Sequence, residues 1–469
     1  AIAEDPKESD YYTITHFGPP AEGVTIESGG IVQMGDTGKI AVCTRRGQIW
    51  TAENAFGDPA NVKWQIFAEY LHEPLGLAWK DGWLYAVQRP ELTRMKDEDG
   101  DGRADIFETV SDIWGVSSNY HEYGFGSHFD KNGDIWTVHC LTGSFTSNTK
   151  YRGWVIKISA DGKATPMACG VRSPGGIGFN AAGDVFYTDN QGAWNGSSSL
   201  KWVKPGSFQG NPNGNVWFEI ANGAIGDPPP HPSYDEGPGR ADKAREKIPT
   251  YVPPAVVLPH GKVGNSPTGV VPDLSDGKFG TFVGEQTHSK VHRVFLEKVN
   301  GMYQGAIFPF LEGFDSGNIG MLLGKDGVMF TGGSNRGWGA KGGKPASFER
   351  VNWTGEVPFE IHEMRAKPDG FELTFTKPID KATAIDASFK MDAYTYIYQK
   401  AYGSPEVDKL NPTVTVTGVA DDGKSMTIKV EPMTKGHVHD LHAEGLKSSE
   451  GIGLLHNVAY YTLNEIPTK

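Results

Sequence analysis

Short apolar runs recur six times along the chain, each opened by a glycine and followed by a turn that starts a second run. They read GIVQMGDTGKIAV from Gly30, GLAWKDGWLYAV from Gly76, GSHFDKNGDIWTV from Gly126, GIGFNAAGDVFYT from Gly176, GVVPDLSDGKFGTFV from Gly269 and GMLLGKDGVMFTGG from Gly320. The opening glycines are 46, 50, 50, 93 and 51 residues apart. Each run is strand-length and turn-bounded, so each unit begins as a β-hairpin. Third runs follow at 45–50, 153–159, 292–297 and 348–353. Hairpin-based units at a period near fifty predict a β-propeller, because one blade buries its faces only against its neighbours. Six units predict a six-bladed ring, with the last blade completed by the β-rich run Tyr11–Thr15 near the N-terminus.

The periodicity stops before Phe359. From there FELTFTKPID, TVTVTG, SMTIKVEP, HVHDLHAEGL and AYYTLN alternate with turn signals, which predicts a small immunoglobulin-like β-sandwich. The expected division is therefore 1–357 for the propeller and 358–469 for the sandwich. An insertion at 193–258 accounts for the long fourth step. It contains the Pro-rich, charged run 227–249, read either as a lid or cleft wall or as surface decoration. His437, His439 and His442 lack a carboxylate or thiol partner at fixed spacing and read as strand polar residues.

Composition narrows the setting. With 61 Gly, 12 Trp and 17 Tyr the chain is turn-rich and all-β, and no apolar run approaches the ~18 residues of a membrane span. A net charge of −13 excludes the electrostatic footprint of a nucleic-acid binder. Cys43, Cys140 and Cys169 form no metal or haem spacing and read as buried free thiols. A start at Ala1 fits a secreted or periplasmic protein after signal removal.

Two patterns carry chemistry. In DEDGDGRADIFE, Asp97, Asp99, Asp101, Asp105 and Glu108 stand at positions 1, 3, 5, 9 and 12 with Gly102 at position 6 and Arg103 at position 7, where a backbone oxygen serves. That is the oxygen spacing of a calcium loop, expected here as a structural Ca2+ clip between two blade strands.

The second pattern is a register. Four residues before the opening glycines stand His72, Glu122, Arg172, Asn265 and Ser316, with His121 and Asp315 one step further back. Loops into the innermost strands surround a propeller's channel mouth, so these residues are expected to ring a ligand site. His121, Arg172, His72 and Glu122 are the candidate catalytic groups: imidazole and carboxylate for proton transfer, guanidinium for a developing oxyanion. Asp189, Asn190, Gln191, Asn265, Gln286, His288 and Arg336, at or near the mouth, are candidates for binding substrate or cofactor. Trp194 and Trp338 are candidates for stacking on sugar rings.

The stretch CGVRSPGGIGF from Cys169, continuing to TDNQG at 188–192, resembles the R-N-P-x-G-h-x-F…E-x-G blade of the soluble quinoprotein glucose and sorbosone dehydrogenases. The resemblance implies a six-bladed propeller that binds pyrroloquinoline quinone with calcium and oxidises sugars or polyols. It implies that Arg172 contacts the quinone, that His121 is the base, and that Ser289–Lys290 lies near the cofactor. It also implies a cofactor-bridging calcium held partly by backbone oxygens around Gln191–Gly192, distinct from the acidic loop. The family's Asp that orients its base is replaced here by Val138-His139-Cys140. The whole chain is also similar to secreted planctomycete-type propeller proteins named membrane-bound dehydrogenase-like. The expected function is a sugar oxidoreductase acting on a small-molecule or oligosaccharide substrate and passing electrons to an external cytochrome. The alternatives are a non-redox lyase or hydrolase at the same mouth, and a non-catalytic glycan-binding propeller.

Overall fold

A computed structural model describes residues 5–232, 239–272, 280–324, 327–337 and 339–468. Each sequence unit folds as an antiparallel sheet whose first strand faces the axis. Blade one is Ser28–Gln33, Ile40–Thr44, Ile49–Glu53 and Lys63–Ala68, and blade two is Leu77–Lys80, Trp83–Val87, Leu92–Lys96 and Ile106–Ser111. Blade three is Gly124–Phe129, Ile135–His139, Trp154–Ile158 and Ala164–Cys169, with the short Ser207–Phe208 added in parallel. Blade six, Asn318–Leu323, Met329–Ser334 and Ala346–Trp353, is completed by Tyr12–His16 near the N-terminus, with Ile14 opposite Val351. The ring is thus closed by pairing its first strand to its last blade, which covers the edge of Ala346–Trp353.

The opening glycines have a steric cause. A Cβ on Gly76 would sit 2.6 Å from the Gly126 backbone, one on Gly30 3.0 Å from Gly76, and one on Gly176 2.9 Å from Gly269. Neighbouring inner strands approach so closely at this level that any side chain would push the blades apart. A glycine collar therefore lines the axis.

The insertion is shorter than the sequence suggests. Blade four consists of Pro174–Phe179, Val185–Asp189, Ser198–Trp202 and Val256–Leu258, so two blade strands lie inside the expected 193–258 insertion. The excursion runs between the third and fourth strands and carries a 3₁₀ helix, Pro212–Glu219, and an α-helix, Ala241–Lys247.

The C-terminal region does not stand apart from the ring. Blade five is Pro267–Pro272, Thr281–Glu285, Lys290–Val299 and Met302–Glu312, and its outer strand pairs on with Val458–Leu463, then His437–His442, then Lys390–Tyr398. Ile361–Lys367, Gly370–Phe375, Ser425–Glu431 and Thr413–Val419 form the second sheet of a sandwich. Phe295, Ala306 and Phe308 of blade five share one core with Phe359, Phe371, Met426 and Tyr461. The expected boundary at 357/358 is thus crossed by a continuous sheet. Pairing covers the edge that Met302–Glu312 would otherwise expose.

All three cysteines are buried free thiols. Among the described residues no helix is long and apolar enough to cross a membrane.

Candidate active site at the propeller mouth

In blades four and five a carboxylate at the end of the second strand faces the turn that precedes the first. In blade four Asp189 is fully buried; its carboxylate accepts the backbone N–H groups of Ser173 at 2.7 Å and Arg172 at 3.3 Å, the Tyr187 hydroxyl at 3.2 Å and the Lys201 ammonium at 3.1 Å. In blade five Glu285 accepts the N–H groups of Asn265 at 2.9 Å and Ser266 at 2.7 Å and is bonded to His288. Burial pushes the Glu285 carboxyl up, but these donors outweigh it and hold it below the ordinary range. Such carboxylates hold the turns in place. Asp189, expected to bind ligand, is spent on this task; the Asn265 side chain instead accepts the Gly261 N–H at 2.8 Å, and His288 engages Glu285 through its Nδ1 at 3.2 Å.

With the turns fixed, a cavity of about 90 Å³, open to solvent, lies on the axis above the collar. Its lining includes Arg45, Tyr120, His121, Tyr123, Asn190, Gln286 and Arg336. Of the residues expected at the site, His121, Asn190, Gln286 and Arg336 therefore meet here. Sequence reasoning missed Arg45, Tyr120 and Tyr123. Arg45 follows the second strand of blade one, the register at which Asn190 and Gln286 were found, so that signal was available.

The His121 imidazole is mostly buried. Its Nδ1 lies 3.1 Å from Cys140 Sγ and 2.8 Å from Ser144 Oγ, which is also 2.9 Å from Nε2. Burial, reinforced by the positive charge of Arg172, lowers its pKa to about 4, so the ring is neutral at neutral pH. Cys140 is itself held neutral, pushed up to about 11 by burial. Hydroxyl and thiol thus orient this histidine where the resembled family uses a carboxylate.

Arg172 is buried beside the cavity. Its Nη1 donates to the Gln191 carbonyl at 2.6 Å, its guanidinium lies 5.0 Å from the Tyr402 ring centre, and its Nε has no partner. The Asn190 side-chain oxygen is likewise buried without a partner. Arg45 pairs with Glu73 at 2.8 Å and donates to the Tyr123 hydroxyl at 3.1 Å; Arg89 shares Glu73 at 3.2 Å; Arg336 pairs with Glu27. Four guanidiniums thus surround the mouth against two carboxylates, and no carboxylate lines the cavity among the described residues. In a chain of net charge −13 this is a local excess of positive charge.

The remaining expected residues lie elsewhere. Glu122 is fully buried and accepts from the Ser117 N–H and the hydroxyls of Thr142 and Thr149, so it pins a loop instead of facing ligand. His72 donates its backbone N–H to Gln88, and burial and the Arg89 charge lower its imidazole pKa. Gln191 bonds the Gly196 carbonyl at 3.1 Å, and Lys290 pairs with Glu312 at 3.2 Å. Trp194 is buried against Tyr398, 5.0 Å between ring centres, and offers no open stacking face. Trp338 lies outside the described residues. His139 is buried against Trp114.

The acidic loop does join the third and fourth strands of blade two. Asp97, Asp99 and Asp105 bring carboxylate oxygens within 4.8 Å of one another. Glu108 instead lies on the following strand and pairs with Arg94, and Arg103 pairs with Glu69 at 3.1 Å. Asp101 accepts the Arg103 N–H at 2.8 Å, outside the three-residue cluster. The helix that would swing the twelfth residue round the ion is replaced here by an extended strand.

A family profile described as a domain of unknown function, DUF7133, matches residues 31–212. Among curated proteins none matches the sequence significantly. Solved structures do resemble the fold. An oxidoreductase described as a glucose dehydrogenase from Thermus thermophilus is 16% identical, with a TM-score of 0.51 over 73% of this chain and 100% of its own. The PQQ-bound aldose sugar dehydrogenase of Streptomyces coelicolor is 15% identical, with a TM-score of 0.50 over 73% and 98%. A Trichoderma reesei enzyme of carbohydrate-active family AA12 is 13% identical, with a TM-score of 0.52 over 73% and 96%. At these identities the likeness speaks to fold: the chain carries a β-propeller of the kind found in sugar dehydrogenases.

Proposed function

We propose that the protein is a sugar or polyol oxidoreductase whose site is the axial cavity, with His121 as base. The observation that carries this reading is a neutral, buried imidazole at the edge of a cavity with excess guanidinium charge. A quinone cofactor with several carboxylates, such as pyrroloquinoline quinone, fits the donor set: Arg45 and Arg336 line the cavity, while Arg172 Nε and the Asn190 oxygen have unused capacity beside it. When bound, that cofactor supplies the two-electron acceptor. His121 takes the proton of the reacting hydroxyl, and Ser144 and Cys140 hold the ring in place. Arg172 neutralises negative charge next to it. An external cytochrome would be the final electron acceptor.

The donor set does not fit a cofactor-bridging calcium at Gln191–Gly192. The Gln191 carbonyl accepts from Arg172, and the Asn190 carbonyl accepts from Asn195 at 2.8 Å, so N–H donors take the place of a cation. The acidic loop is retained in this proposal as a structural Ca2+ site formed by Asp97, Asp99 and Asp105. The absence of carboxylates from the described cavity lining weighs against a two-carboxylate hydrolase. The test is dye-linked oxidation of a panel of aldoses and polyols after reconstitution with pyrroloquinoline quinone. Turnover that requires both quinone and His121 is expected; sugar cleavage without quinone would replace this reading with lyase chemistry.

A further inference from the structure

The aromatic residues exposed at the mouth are not those the repeat pattern points to. Tyr120 is 67% exposed, Phe145 55% and Tyr402 62%. A chain of contacts joins them into an arc. The Tyr120 ring lies 5.6 Å from the His121 ring, and His121 is bonded to Ser144 at 2.8 Å. Gly143 and Ser144 both adopt left-handed backbone angles, φ 56° and 68°, just before Phe145. A non-glycine residue in that region stores strain that the surroundings must hold, and such strain clusters at functional positions. Leu141, in the same loop, donates its N–H to the Arg172 carbonyl at 3.1 Å, and the Arg172 guanidinium sits under Tyr402.

Tyr402 is contributed by the sandwich, some 230 residues after Arg172 in sequence. Its placement is built. Gly403 donates to the Gly192 carbonyl at 3.1 Å, Trp194 donates to the Gln399 carbonyl at 2.7 Å, and Tyr402 pairs with Ala193 in an isolated β-bridge. A Cβ on Gly403 would meet the Gln191 side chain at 2.7 Å, so the hairpin lies flush on the blade-four loop. The residue it delivers is nevertheless left mostly open to solvent.

We infer that the arc Tyr120–Phe145–Tyr402 is an extended glycan-binding rim: the substrate is an oligosaccharide whose terminal unit enters the axial cavity and whose following units stack on these rings. The inference rests on the sugar-oxidising reading and adds the substrate's size. Flat aromatic faces suit the axial C–H groups of pyranose rings. Tyr120 lines the cavity, Phe145 follows the Ser144 that is bonded to His121, and Tyr402 covers the Arg172 guanidinium, so hydrogen-bonding groups separate the rings, whereas a flat contiguous apolar patch would favour a protein partner. The same arrangement explains why the sandwich is fused to the outer strand of blade five and reaches over blade four.

The test is calorimetric binding of glucose, xylose, cellohexaose, xylohexaose and maltohexaose to the full chain, loaded with pyrroloquinoline quinone, in parallel with turnover. At least one hexasaccharide should bind about tenfold or more tightly than its monosaccharide, and Tyr402→Ala should remove most of that ratio. Tyr402→Trp should keep it, because the ring face and not the hydroxyl carries the contact. Equal affinity for hexasaccharides and monosaccharides, no hexasaccharide binding, or a ratio unmoved by Tyr402→Ala and Phe145→Ala would overturn the inference. Loss of cytochrome c binding on Tyr402→Ala with the hexasaccharide ratio intact would assign the arc to a protein partner instead. Oxidation without chain-length preference sinks the rim and leaves the oxidoreductase standing; glycan binding without oxidation does the reverse.

Discussion

Two polar clusters meet at the top of blade four, and they differ in what they leave unused. Asp189 accepts from two backbone N–H groups, a tyrosine hydroxyl and a lysine ammonium, and Lys201 also donates to the Gln209 carbonyl at 3.0 Å. That cluster is closed. Beside it Arg172 keeps an unpartnered Nε, Asn190 an unpartnered oxygen, and His121 a neutral ring at the edge of open space. A closed buried network specifies structure, whereas an open one next to a cavity has capacity left for a ligand.

Removing one member from each cluster should have the largest and most divergent effects. Asp189→Ala leaves the Lys201 charge buried without its counter-ion and frees two backbone donors, at a cost of about 3–5 kcal/mol. Urea unfolding should show that loss, with insoluble expression as its extreme form. His121→Ala should shift stability by only about 1 kcal/mol while lowering turnover by roughly 10²–10⁴-fold. Equal effects of the two substitutions on stability would erase the distinction.

Deleting residues from 359 onward comes next. It uncovers the long strand Met302–Glu312 and removes Tyr402, so the truncated ring should aggregate, as size-exclusion chromatography would show. A soluble monomer with unchanged turnover on oligosaccharides would show that the shared sheet is incidental.

Titration separates the mouth from the periphery with opposite signs. His121 has a folded pKa near 4, below its unfolded value of about 6.5, so the unfolded chain binds more protons in that window. Stability from this group is therefore present above pH 6.5 and lost as pH falls toward 4. Activity should fade on the same acid limb. His456 lies between Glu360 at 2.7 Å and Glu8 at 2.9 Å; burial opposes its charge, but the two carboxylates outweigh it and raise its pKa to about 9. Its contribution is complete below pH 6.5 and disappears as pH rises through 9. His456→Gln should flatten the alkaline side of a melting-temperature profile and leave the acid limb of activity in place.

The smallest effect is expected at the exposed acidic loop. Calcium bound only to the folded state raises the melting temperature by mass action. Chelation should lower it by a few degrees, and Asp99→Ala should abolish that difference. A melting curve indifferent to calcium would leave the loop as a set of backbone-capping turns, in which Asp97 already accepts the N–H groups of Gly100 and Gly102.

How far the sequence carries the structure depends on the range of the contacts. The glycine register is legible because each glycine answers a steric demand repeated between neighbouring inner strands. The N-terminal closing strand is legible because a ring needs one. Site membership is not, since register gives position along the chain but not side-chain direction: Glu122 and Arg172 occupy the same register, yet one is sealed under hydroxyls and the other borders the cavity. Trp194 reads as an open platform only until the C-terminal hairpin that covers it is known. Tyr402, which borders the same site, belongs to no repeat at all.

On the proposed reading, the cavity's open hydrogen-bonding capacity accommodates a polyanionic quinone without a bridging metal. An absorbance titration of the full chain with pyrroloquinoline quinone in the presence of chelator tests it directly. One equivalent should bind per chain, weakened about a hundredfold by Arg172→Ala with the fold intact. Absence of binding, or binding that Arg172→Ala leaves unchanged, would contradict it.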